Sequence, residues 1–168
     1  MASTFSTDLA FELVATGEKA GLWGTITNTN LQILQQSATG VVDVPMTSSS
    51  DKTLLLSDGA TSDGKNLYLK LTGTMTGNVN LIIPASTTGG TATRVYVVQD
   101  ATDRTTTNKY TLGIKTAGSS NPIAVPVGAT MLIHSDGTDA RLDILQKGTL
   151  QLHQVLLLHT LQLLVIIY

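Results

Sequence analysis

The chain is 168 residues long, 42% hydrophobic, 13% charged and 4% aromatic, with no cysteine and a formal net charge of −2. That length suits one domain around a single core, and the lack of cysteine removes disulfide frameworks, zinc fingers and iron–sulfur sites. The near balance of 10 Lys and Arg against 12 Asp and Glu, with no basic cluster, gives no electrostatic footprint for nucleic acid or an anionic membrane.

Met1 to Phe5 has neither the positive nor the apolar stretch of a signal peptide, so synthesis in a cytoplasm is expected. Leu9, Phe11 and Leu13 then alternate with Ala10 and Glu12, which fits either a short strand or one helical turn after Ser6-Thr7-Asp8. Gly17, Gly21 and Gly24 punctuate the chain around Trp23, the only tryptophan. Beyond them, Asn28 or Thr29 is the expected cap of a helix through Leu31, Ile33, Leu34 and Gln35 to Ala38, stopped by Gly40. The 27 Thr and 12 Ser favour strands and turns elsewhere.

From Val41 to about Leu145 the period becomes two, the mark of half-buried strands. Val41 to Val44 and Thr53 to Leu56 come first; Leu67, Leu69 and Leu71 then alternate with Tyr68 and Lys70, and Val79, Leu81 and Ile83 precede Pro84. Val95 and Val97 stand against Arg94 and Tyr96; Tyr110, Leu112 and Ile114 follow, then Ile123, Val125 and Val127, then Met131 and Ile133, then Leu142 and Ile144. Turn chemistry separates these nine predicted strands, as in Ser57-Asp58-Gly59, Ser62-Asp63-Gly64, Thr88-Gly89-Gly90 and Ser135-Asp136-Gly137. Turns too short for crossover helices predict an all-β, antiparallel sandwich or barrel and exclude a parallel α/β enzyme fold. No strict internal repeat is visible in the sequence.

Catalytic constellations are missing from the sequence: there is no Gly-x-Ser-x-Gly, no P-loop, no Gly-x-Gly-x-x-Gly after a strand and no His-Glu-x-x-His. His153 and His159 are spaced wrongly for two ligands on one helical face, His134 reads as a solvated strand-end residue, and Asp58 to Gly64 reads as a turn rather than a calcium loop. Neither a metal nor a cofactor is expected, and the protein reads as a non-enzyme. A carbohydrate-binding face would need an aromatic platform; by alternation Tyr68 and Tyr96 lie opposite the aliphatic run and Tyr110 lies on its side.

Two segments carry a resemblance. Gly17-Glu-Lys-Ala-Gly-Leu-Trp23-Gly24-Thr-Ile-Thr-Asn28-Thr-Asn30-Leu31 resembles a Gly…Trp-Gly…Asn-x-Asn-Leu segment near the N-terminus of many tail fibre and related tail proteins of tailed bacteriophages. The stretch from Asp51 to Thr138 is similar to a β-rich module of phage fibre-like proteins, through Leu71 to Thr76, Leu81 to Pro84, Val95 to Val98, Val125 to Gly128 and Asp136 to Thr138. The resemblance implies a homotrimeric virion protein, made in the host cytoplasm and located in the phage tail. Its N-terminal region would dock on another tail protein such as an adaptor, nozzle or baseplate component, and the whole would support host adsorption, with a host surface glycan or protein as a further partner. Trp23, Asn28, Asn30, Leu31 and Leu34 are the expected assembly and docking residues, with Trp23 as either a rigid anchor or a satellite-core tryptophan and the two asparagines as caps. Rival expectations are a carbohydrate-binding β-sandwich and a capsid decoration protein.

The expected organisation is therefore a docking arm over 1–40, a β-sandwich over 41–147 and a hydrophobic segment over 148–168. The last 20 residues hold no charge, and 13 of them are Leu, Val, Ile or Tyr. Leu157, Leu161 and Leu164 fall at heptad-like spacing for a trimer seam; a truncation or a change of reading frame is the competing explanation. A membrane span fits poorly because six polar residues interrupt the run.

Overall fold

The computed structural model describes residues 3–104 and 110–142. The C-terminal residues Leu157, Leu161 and Leu164, the histidines His153 and His159, and Ile144 lie outside the described residues. In chain order the elements are β1 (Thr4–Phe5), β2 (Glu12–Leu13), α1 (Trp23–Thr39), β3 (Val41–Pro45), β4 (Lys52–Thr53), a short 3-10 turn (Asp63–Lys65), β5 (Tyr68–Thr74), β6 (Val79–Ile83), β7 (Ser86–Thr87), β8 (Gly90–Thr91), β9 (Arg94–Asp103), β10 (Leu112–Thr116), β11 (Ile123–Ala124), β12 (Thr130–Ser135) and β13 (Ala140–Leu142). All nine predicted strands have counterparts, and one helix accompanies them. The open choice at Leu9 to Leu13 resolves as a two-residue strand only at its end, where Thr4 pairs with Leu13 and Phe5 with Glu12, while Leu9 lies in the preceding turn.

The sheets are mixed, which corrects the antiparallel expectation. A five-stranded sheet runs β13-β12-β9-β5-β3 and a four-stranded one β11-β10-β6-β4. Within them β3 is parallel to β5, β5 to β9, β4 to β6 and β6 to β10. Parallel neighbours need a crossover of a dozen or more residues. Here no helix supplies it: the link from β3 to β5 contains β4, and the link from β5 to β9 contains β6, both strands of the other sheet. The chain thus winds alternately through two sheets, so the short turns seen in the sequence are compatible with parallel pairing. Within the two larger sheets antiparallel pairing comes at the end of the winding, where β11 returns on β10, and β12 on β9 followed by β13; the small pairs β1-β2 and β7-β8 are antiparallel as well.

This winding hides a repeat that the sequence does not display. Val41 pairs with Tyr68 and Tyr68 with Val97, while Lys52 pairs with Leu81 and Val79 with Leu112, a structural period of roughly 27 to 33 residues. Identity between turns of the winding is low because packing asks only for an apolar residue at alternate positions.

The inward faces of both sheets share one core. Val44, Leu69, Leu71, Val98, Met131 and Ile133 come from the five-stranded sheet, and Val79, Leu81, Ile83, Leu112 and Ile114 from the four-stranded one. Alternation predicts the inward side correctly on β5, β6, β10 and β12, where Leu69, Leu71, Val79, Leu81, Ile83, Leu112, Ile114, Met131 and Ile133 are buried. It fails on β9. There Arg94, Tyr96, Val98, Asp100 and Thr102 are buried, Val95 is exposed and Val97 half-buried. Tyr96, expected outside, is fully buried in the core. Apart from the Arg94 Nε, which has no partner, the buried polar atoms on that side find partners inside, which offsets the usual cost of burying them. Val127 also departs from expectation: β11 stops at Ala124 and Val127 is exposed.

Helix α1 begins at Trp23, earlier than predicted, with Leu22 in the capping position and no side-chain cap. Ile26, Ile33 and Gln36 repeat at helical spacing along its inward side, and Ile33 is completely buried. The helix ends at Gly40 as expected, and Gly40 is extended, with φ of −67°. A β-carbon there would collide with the Asn66 side-chain oxygen and the Gln36 carbonyl, so the glycine permits close approach of the helix end to the 3-10 turn.

Candidate functional site

The N-terminal 40 residues are tied to the β-region by hydrogen bonds that span most of the chain. The Asp8 carboxylate accepts from the Thr93 backbone N–H at 2.8 Å and its hydroxyl at 3.0 Å. The Thr87 hydroxyl donates to the Thr7 carbonyl at 2.6 Å, and the Gly59 N–H donates to the Ala10 carbonyl at 2.8 Å. These contacts hold β1 and β2 in place, and β2 in turn holds α1.

Asn30 is the residue that makes the second link. Its side-chain oxygen accepts from the Glu12 N–H at 3.1 Å and its amide donates to the Glu12 carbonyl at 2.9 Å. The amide therefore mimics a strand neighbour of β2. This corrects the expected capping role: Asn30 lies mid-helix and straps the helix to the arm, while Asn28, also inside the helix, is exposed and caps nothing. Glu12 receives the Ser3 hydroxyl at 2.7 Å and an ion pair from Lys19 at 3.0 Å. The Ser3 hydrogen bond, then Lys19, holds its carboxyl below the ordinary range.

With its inward side fixed, α1 turns the remaining expected residues outward. Trp23 is 57% exposed, Leu31 58% and Leu34 50%, so three of the five large apolar side chains of this helix face away from the core they could fill. At 100° per residue, Trp23, Thr27, Leu31, Leu34 and Ala38 fall within an arc of roughly 80°. No charged residue occurs between Lys19 and Asp43. The structure thus groups Trp23, Leu31 and Leu34 on one stripe, with Asn30 bordering it where the arm meets the helix and Asn28 farther round.

On another side of the helix lies a cleft of about 340 Å³ lined by Gln32, Gln35, Gln36, Thr39, Gly40 and Thr61. Its lining is uncharged amide and hydroxyl. Gln36 donates to the Ser62 carbonyl at 3.3 Å, and its side-chain oxygen has no protein partner despite being buried.

Two buried polar groups escaped the sequence reading because their partners come from distant segments. In the first, Lys65 is fully buried and donates to the carbonyls of Ser57 at 2.5 Å and Ala60 at 2.7 Å, closing that turn. Burial, helped by the Arg94 charge and opposed by Asp58, pushes its ammonium down to about 8. Arg94 donates to the Lys65 carbonyl at 3.0 Å and lies 5.4 Å from the Tyr96 ring centre. The Tyr96 hydroxyl donates to the Gly64 carbonyl at 2.8 Å, and burial pushes its ionisation up to about 12.

In the second group, the Asp100 carboxylate pairs with Arg104 and accepts from the Thr102 hydroxyl at 2.6 Å, the Thr102 N–H at 3.0 Å and the Gly128 N–H at 3.1 Å. Burial acts to raise Asp100, but the hydrogen bonds from Thr102, Arg104 and Gly128 together hold it below the ordinary carboxylate value. Arg104 also donates to the Val125 carbonyl at 3.3 Å. Both groups hold backbone in place.

No family model, curated protein or solved structure matches this chain. Function therefore has to be read from surfaces and side chains. Among the described residues, no group of three or more His, Asp or Glu side chains is placed to hold a metal ion, and no helix is long and apolar enough to cross a membrane. The Asp58 to Gly64 loop spends its carboxylates internally: Asp58 accepts from the Thr88 hydroxyl, and Asp63 accepts from the N–H groups of Leu55 at 2.6 Å and Gly64 at 2.7 Å.

Proposed function

We propose that this protein is a structural component of a bacteriophage virion, a tail fibre or tail-associated protein. It anchors to the tail through its N-terminal region and supports host adsorption without enzymatic activity. In this proposal the β-region is a sandwich-like module, the assembly is a homotrimer, the partner at the N-terminus is another tail protein, and the chain is made in the host cytoplasm before entering the tail.

The observation that carries the reading is the stripe of Trp23, Leu31 and Leu34. These large apolar side chains are held outward on a helix that Asn30 straps to the arm. Exposed aromatic and aliphatic anchors on a pre-positioned element are what an assembly interface requires. The mechanism of adsorption is multivalency: several copies per particle raise avidity without a tight site on any one copy. Localisation by labelled electron microscopy of purified particles tests it. Label at the tail is expected, and particles that lack the protein or carry it on the capsid shell overturn the reading, the second result favouring a decoration protein.

A second reading, recognition of a host surface glycan, draws support from the uncharged cleft at Gln32, Gln35, Gln36, Thr39 and Thr61. Such a lining suits a neutral, hydroxyl-rich ligand. The aromatic platform expected for this role is weakened by the burial of Tyr96. Binding of the full chain to a glycan array, lost on Gln35→Ala, would favour it over a purely structural role.

A further inference from the structure

The cleft between α1 and the loop 57–62 has walls that stand in place before any ligand arrives. The loop is pinned by the Lys65 ammonium on the Ser57 and Ala60 carbonyls, by the Gly59 N–H on the Ala10 carbonyl and by the Thr88 hydroxyl on Asp58. On the helix side, Gln32, Gln35, Gln36 and Thr39 centre about 130° around α1 from the stripe of Trp23, Leu31 and Leu34, so a ligand here leaves that stripe free. A cleft of about 340 Å³ lies at the small end of the range for small-molecule sites, about 300–1,000 Å³, which is room for about one or two sugar rings.

Gln36 is the residue with hydrogen-bonding capacity to give. Its buried side-chain oxygen has no partner, and its amide nitrogen donates over a long 3.3 Å to the Ser62 carbonyl. That carbonyl does not depend on it, because it also accepts from the Lys65 N–H at 3.1 Å and the Asn66 amide at 3.3 Å. The terminal torsion of a glutamine is soft. Turning the amide toward the cleft therefore gives up one redundant contact and finds a donor for an acceptor that has none. A ligand hydroxyl, which donates and accepts at once, can meet both ends of such an amide.

Charge narrows the ligand. The cleft sits at the C-terminal end of α1, where the helix dipole places partial negative charge, and the last turn of α1 carries no basic residue. None of the lining residues is charged. A carboxylate or phosphate would shed its water there without a counter-charge, and an ammonium would find no carboxylate; a neutral hydroxyl loses least.

We propose that this cleft selects a neutral saccharide end and rejects its acidic counterparts, with Gln36 as the residue that fixes a ligand hydroxyl. The inference rests on the second reading above, glycan recognition, and narrows it to a ligand class, a specificity residue and a charge rule.

The test is an array of neutral sugars and their uronic-acid and phosphorylated counterparts, probed with the full chain and followed by calorimetric titration of the leading soluble members. The neutral sugar is expected to bind at least about tenfold more tightly than its acidic counterpart. Gln36→Leu is expected to weaken that binding at least about tenfold while the urea midpoint stays level or rises, because the variant removes an unpaired buried oxygen. Thr61→Lys, which brings a cation to the rim, is expected to raise acidic sugars toward the neutral ones.

Acidic sugars that bind the wild-type chain as well as neutral ones overturn the charge rule, as does their continued rejection by Thr61→Lys. A Gln36→Leu chain that loses stability together with binding marks Gln36 as structural and overturns its assigned role. Array binding that survives both Gln36→Leu and Gln35→Ala places glycan recognition on another surface: the inference falls while the glycan reading stands. A silent array defeats both and leaves tail localisation to be judged by microscopy.

Discussion

Replacing Arg104 with methionine is the sharpest probe of what holds the end of β9 to the chain around Gly128. The Asp100 side chain is 0% exposed and that of Arg104 3%, so bulk water screens neither charge. Removing the guanidinium leaves a buried carboxylate without its counter-charge, a change that costs about 3–5 kcal/mol in comparable pairs. Three hydrogen bonds to Asp100 survive, from the Thr102 hydroxyl and the N–H groups of Thr102 and Gly128, which argues for the lower end. The Val125 carbonyl loses its donor as well, worth about another 1 kcal/mol. The sum is a loss of about 4 kcal/mol, or a fall in melting temperature of about 8–16 °C for a chain of this size.

Urea unfolding is the assay, with a lowered midpoint and an unchanged slope as the expected signature. The acid limb adds a second readout. Asp100 is held below its ordinary value in the fold, so its contribution is complete above the unfolded carboxylate pKa and is lost as pH falls through the lower folded one. Arg104→Met should move the folded value back up, so the variant and the wild type should converge in stability at low pH. A loss under about 1 kcal/mol at neutral pH, or a constant difference down to pH 2, would refute a desolvated ion pair at this position.

Three further outcomes follow from the same reasoning. Lys65 is held down at about 8 by burial, so the unfolded chain binds more protons than the folded one above that pH; stability should rise with pH from about 8 toward 10, and Lys65→Met should abolish the rise in a pH series of urea titrations. Tyr96→Phe removes the donor to the Gly64 carbonyl and should cost about 1–3 kcal/mol with little change in packing, read from the unfolding midpoint. Asp8→Ala deletes both Thr93 contacts and should raise amide exchange across residues 3–13 while leaving β5 and β9 protected, which hydrogen-exchange mass spectrometry would register.

Much of the strand content was legible because burial on one side writes a period of two into the chain. Leu69 and Leu71, Leu81 and Ile83, Leu112 and Ile114 all face the core as their alternation says. The helix around Leu31 to Leu34 was legible too, and the fold leaves Trp23, Leu31 and Leu34 exposed on it. The roles of Asn28 and Asn30 were not, since a helix cap and a mid-helix strap use the same residue type, and only the arrival of Glu12 beside Asn30 separates them.

What the sequence by itself determined is local: where the chain extends, where it turns, where one helix lies, and that the stretch from Ala20 to Val42 carries no charge. Strand direction and sidedness were decided only by the tertiary structure. Alternation records that a strand has two faces, but it does not say which neighbour comes alongside or in which sense, so β3, β5 and β9 became parallel through a winding that uses strands of the opposite sheet as crossovers. On β9 the polar side became the buried one because Lys65, Gly64 and Gly128 supply partners to Arg94, Tyr96 and Asp100, and Arg104, just past the strand, pairs with Asp100 and donates to Val125. Those partners arrive from distant points along the chain, and the free energy of a buried polar group depends on whether they arrive.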